Sequence, residues 1–79
     1  MAMKVLVDVA SVKICDADKH FVGSASGPAL VRKVLADFME HGQGMIVVLS
    51  PVGDGKKYCL AMSHDGNSLQ FGEEEEFFA

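Results

Sequence analysis

The sequence predicts an α+β fold: one amphipathic helix packed on a four- to five-stranded, mostly antiparallel sheet, in the order β-β-α-β-β-β. Three observations lead to it. Apolar residues recur at helical spacing between residues 28 and 41. Strand-length apolar or alternating runs lie on both sides of that stretch. Glycine- and aspartate-rich punctuation separates them. The 79 residues are 49% hydrophobic and 23% charged, too apolar for a disordered chain and too few for two cores. Residues 1–79 are therefore read as a single small α+β domain, with 73–79 an acidic-aromatic C-terminal segment.

The first strand is expected over residues 3–15. Val5, Val7 and Val9 share one face, because strand side chains alternate. Val12 and Ile14 continue on the opposite parity, so the phase slips at Ala10–Ser11, as a β-bulge requires. Asp16–Lys19 reads as a turn, with Asp able to bond its own backbone. Phe21–Ala25 returns as the second strand of a hairpin.

The helix should run from Pro28 to His41. Ser26 or Gly27 can cap it, and Pro28 suits the first turn, where its missing N–H costs nothing. Leu30, Val31, Val34, Leu35, Phe38 and Met39 form the expected apolar stripe. Arg32, Lys33, Asp37 and Glu40 fall opposite. Gly42 is read as the stop, through the left-handed conformation glycine tolerates.

Three strands are expected next. Met45–Leu49 is a continuous apolar run, typical of a strand buried on both faces. Residues 51–56 form a loop. Tyr58, Leu60 and Met62 alternate with Cys59, Ala61 and Ser63. Asp65-Gly66-Asn67 signals a hairpin, after which Leu69 and Phe71 continue the meander.

Most site chemistries fail on spacing. Ser50–Lys57 lacks the first glycine and the hydroxyl residue of a phosphate-binding P-loop, and reads as a strand connection kept soluble by Lys56 and Lys57. His20, His41, His64, Cys15 and Cys59 make no C-x-x-C or H-x-x-x-H pattern. Asp16 and Asp18 open like a calcium loop but lack its later Gly and Glu. No metal or cofactor is expected. Ser63-His64-Asp65 holds the residue types of a hydrolase triad, but consecutive strand residues point to alternate faces. Cys59 with His64 is the remaining nucleophile–base pair, and it would need an unusually bent sheet. The chain is expected not to be an enzyme. Its pI near 5.1 argues against direct nucleic-acid binding, with Tyr58 and Phe71 assigned to the core rather than to base stacking. Cys15 and Cys59 sit in apolar runs and read as small buried hydrophobes in a reducing, cytoplasmic setting. No signal pattern opens the chain, and Met45–Leu49 is far shorter than the roughly 20 residues that span a bilayer.

The remaining feature is Glu73-Glu74-Glu75-Glu76-Phe77-Phe78. Outside these four carboxylates the chain balances seven acidic residues against seven basic ones, so the net charge of −4 resides here. Carboxylates steer toward lysine and arginine, and an aromatic ring can anchor in an apolar pocket. Over Glu73–Phe78 the segment resembles the acidic tips of single-stranded-DNA-binding proteins, in which carboxylates precede an aromatic residue; Ala79 departs from that pattern. The expected function is a small non-enzymatic interaction module, an inhibitor or adaptor of the acidic phage type. It would act on a larger protein or nucleic-acid-handling machine through Glu73, Glu74, Glu75, Glu76, Phe77 and Phe78. Its expected partner is the basic surface of a larger protein. A homodimer or other homo-oligomeric structural protein is the alternative, and a small-molecule or metal-binding domain is a further one.

Overall fold

The computed structural model describes residues 9–53 and 55–78. Among these, β1 (Val9–Cys15) and β2 (Phe21–Ser26) form a hairpin, and α1 (Pro28–His41) follows. β3 (Ile46–Pro51), β4 (Tyr58–Met62) and β5 (Leu69–Glu73) form a meander, and the short helix α2 (Glu74–Phe78) ends the described chain. The strands make one sheet in the spatial order β2-β1-β3-β4-β5, every pair antiparallel. The α+β class and the antiparallel sheet match the sequence reading. The element order departs from it, because a helix closes the chain after β5. The expected beginning of the first strand, residues 3–8, lies outside the described residues.

The phase slip read in the first strand is present as an irregularity in register. Val9 pairs with Pro51 and Ser11 with Ser50, so Ala10 is extra on the β1 side. That extra residue lets Val9 and Val12 enter the same core despite their opposite parity. A second irregularity falls in the hairpin. Ile14 faces Gly23 and Cys15 faces Phe21, leaving Val22 outside the ladder.

α1 links an edge strand to an interior one, since β3 lies on the far side of β1 from β2. Passing over β1, the helix packs on β1 and β2. Gly27 caps its start at φ 87°, a conformation costly for other residues, and its carbonyl accepts the first helical bond from Val31 N–H at 3.0 Å. The helix buries a narrower face than the sequence stripe implied. Val31 and Phe38 are buried and Val34 and Leu35 half-buried, whereas Leu30 and Met39 are 58% and 53% exposed. At 100° per residue, Leu30 and Met39 lie on opposite flanks of the Val31–Phe38 line, and one sheet can cover only its centre.

Gly42 stops the helix by a different cause from the one expected. Its φ is −89°, an ordinary value, and its N–H donates to the Phe38 carbonyl at 2.8 Å. The Phe38 ring lies so close over Gly42 that an added Cβ would collide with it. The left-handed turn falls two residues later, at Gly44 (φ 77°), beneath the His64 ring.

The core between α1 and the sheet joins Val9, Val12, Val31, Phe38, Val47, Leu49 and Met62. β3 is buried on both faces at Val47, Val48 and Leu49, as its apolar run requires. Each such side chain contributes about 1.5–3 kcal/mol by leaving water. Farther from α1 on this face, Tyr58 and Phe71 stack with centroids 5.7 Å apart and planes 8° off parallel. Tyr58 packs against the core as assigned, whereas Phe71 stays 38% exposed and rims it, a correction to its assignment above.

The opposite face is covered at its β4–β5 end by α2. Gly72 pairs with Cys59, and the Glu76 and Phe77 side chains lie where a Cβ on Gly72 would point. A Cβ there would displace the flexible end of the Glu76 side chain and lie tight against the Phe77 ring.

Candidate functional site

Glu73–Phe78 forms neither a frayed terminus nor a uniform peptide. Glu73 ends β5 opposite Tyr58, while Glu74–Phe78 turns into α2. Glu74 N–H donates to the Lys57 carbonyl at 3.0 Å, which pins the turn to the start of β4. Three glutamates then occupy the first helical turn, where the exposed N–H groups favour negative charge. Glu73, Glu74 and Glu75 thus border one cleft, while Glu76 turns toward Gly72.

Among the described residues their compensation is slight. Lys56 Nζ lies 3.8 Å from Glu73 Oε1, with both side chains largely in water, an arrangement that contributes about 0–1 kcal/mol. Lys56 and Lys57 line a shallow cleft together with Glu73, Glu74 and Glu75. Glu75 and Glu76 are exposed. Among the described residues no other cation lies within ion-pairing distance of the four carboxylates. Phe77 is half-buried, and Phe78 is 36% exposed with Lys19 Nζ 5.7 Å from its ring centre. The ring pair therefore divides: Phe77 leans on the sheet at Gly72, and Phe78 remains within reach of solvent.

Cys15 and Cys59 lie on the α2 side of the sheet as free, buried thiols. Burial pushes the Cys59 thiol up to about 11, with Glu74 and then Cys15 adding to the rise. Burial also raises Cys15, with Asp16 the next cause. A thiol held protonated is a poor nucleophile, which tells against the Cys59–His64 pair. His64 itself sits over Gly44, at the far end of β4.

Ser63-His64-Asp65 also resolves into a turn. Ser63 Oγ donates to Asp65 Oδ1 at 2.6 Å and accepts from Ser68 N–H at 3.1 Å, while Asn67 N–H donates to Asp65 Oδ1 at 2.9 Å. The Ser63 hydroxyl, and then the Asn67 N–H, hold the Asp65 carboxyl below its ordinary range. Gly66 takes the positive φ the hairpin signal called for, 77°.

One grouping was missed in the sequence. Asp16, Asp18 and His20 bring their ligating atoms within 4.8 Å of one another, which adds His20 to the two aspartates noted above. The turn itself accounts for the grouping: Asp16 Oδ1 accepts from Asp18 N–H and His20 N–H, both at 2.9 Å, and Lys19 takes φ 67° between them. The spacing D-x-D-x-H with an Asp opening the turn was the available signal.

These features define a small α+β domain with one acidic-aromatic end. No protein-family model, curated protein or solved structure matches the chain. No helix among the described residues is long and apolar enough to cross a membrane.

Proposed function

We propose that this chain is a non-enzymatic protein-interaction module, an inhibitor or adaptor that docks its β5–α2 end on the basic surface of a larger protein. The observation that carries this reading is that Glu73, Glu74, Glu75 and Glu76 follow one another at one end of the sheet with, among the described residues, only the exposed Lys56 near enough to pair. Such a concentrated field speeds encounter with a cationic partner and orients it. Phe78, 36% exposed on α2, supplies apolar contact once the charges have met. Glu74, Glu75 and Glu76 steer, and Phe78 anchors.

The test is an NMR titration of the full chain with a short lysine-rich peptide that carries one aromatic residue. Shift changes confined to β5, α2 and the Lys56–Lys57 segment, weakening as salt rises, are the expected result. Changes spread evenly over the surface, or none, reject the reading.

A further inference from the structure

At the opposite edge of the sheet lies a surface of contrary character. Residues 21–31 contain no charged side chain, yet most are exposed. β2 occupies this edge, and Phe21, Val22 and Leu30 are exposed by 61%, 55% and 58%. Edge strands present unpaired backbone groups, and proteins usually guard them with charge, proline or a bulge. Here the guard is incomplete. The irregularity at Val22 leaves Gly23–Ser26 as a regular run, and none of the four carries a charge.

We infer that the β2 edge is a self-association surface, pairing antiparallel with β2 of a second copy. A strand is the occupant that satisfies a row of outward backbone groups. Charge selects a second copy and this edge. β5 is the other edge, and pairing there would bring two sets of Glu73–Glu76 together. Pairing through β2 places those acidic ends at the two far ends of one continuous sheet, where their repulsion is least. The run also complements itself. In a register centred between Gly23 and Ser24, β2 pairs over its whole length, and residue 21 of one copy lies opposite residue 26 of the other. Phe21 and Val22 then meet Ser26 and Ala25 of the second copy, and uncharged groups cover uncharged groups on both sides of the dyad. The acidic ends stay outward, so this surface and the proposed docking end do not compete.

Sedimentation equilibrium of the full chain over a dilution series from about 1 mM downward tests the inference, because interfaces this small hold at micromolar or weaker affinity. The expected result is a monomer–dimer equilibrium little changed by salt. Val22→Lys should raise its dissociation constant about tenfold or more, by putting into the contact the kind of charge that usually guards an edge strand. Circular dichroism should show the variant folded, since Val22 lies outside the ladder; a second variant, Ser24→Lys, at an exposed strand position beside the dyad, should act in the same direction. A monomer at every concentration overturns the inference. A dimer that survives both lysines and responds to Glu75→Lys instead overturns it too, by putting the contact at the acidic end. Neither outcome bears on whether that end binds a cationic partner.

Discussion

Phe38 and Met39 are neighbours in the chain with opposite fates. The Phe38 ring lies against Gly42 and inside the core, while Met39 is 53% exposed on the flank of α1. Phe38→Ala should therefore cost about 3–5 kcal/mol in urea unfolding, whereas Met39→Ala should change stability by no more than about 0.5 kcal/mol. Equal losses would restore the broad stripe that helical spacing alone suggested. Cys59 gives a second residue-scale prediction. Its folded pKa of about 11 lies above the ordinary 9.0. The neutral thiol therefore supports the fold at pH below about 9, and that support is lost as pH rises through about 11. At neutral pH the thiolate population is about a hundredfold lower than in the unfolded chain. Cys59 should label slowly with a disulfide reagent at pH 8 and rapidly in denaturant; fast labelling of the folded chain contradicts its burial.

At the scale of elements, Gly72 decides whether α2 can rest on the sheet. An added Cβ there would come 2.7 Å from Glu76 Oε2 and 3.2 Å from the Phe77 ring. Gly72→Val should lift α2 while leaving β4 and β5 paired, since valine is a good strand residue. Amide exchange should quicken in 74–78 alone, and Cys59 should become easier to label. Loss of the whole sheet would mean that α2 is an integral part of the core. Much of this level was legible in the chain. Pro28 and Gly42 bounded α1, Gly66 marked the last hairpin, and the parity change between Val9 and Val12 located the register slip. α2 was not legible, because four adjacent glutamates look like a solvated run, and nothing in local spacing says that Gly72 opens a seat for Phe77. The Asp16–Asp18–His20 grouping was hidden for a related reason: a left-handed Lys19 brings together side chains that a plain strand would separate.

Across the whole molecule, the charge is arranged as a gradient along the sheet. The β2 edge is uncharged over residues 21–31, the middle is buried, and the β5–α2 end holds the entire excess of four negative charges. Like charges this close repel, and salt screens exposed charges over about 8 Å at 0.15 M ionic strength. Thermal stability should therefore rise modestly from very low salt to 0.15 M. The rise should vanish in the Glu74→Gln/Glu75→Gln/Glu76→Gln variant. The same rise in the variant would mean that the acidic end is neutralised within the chain, which would remove the reason for it to seek a partner.

Quantitative affinity capture from a cell lysate, with wild type and a Glu74→Lys/Glu75→Lys/Glu76→Lys variant of equal helical content run side by side, tests that claim most directly. A set of basic proteins retained by wild type, released by salt and lost from the variant is the predicted result. Identical proteins held by both forms would show that the acidic end does not dock.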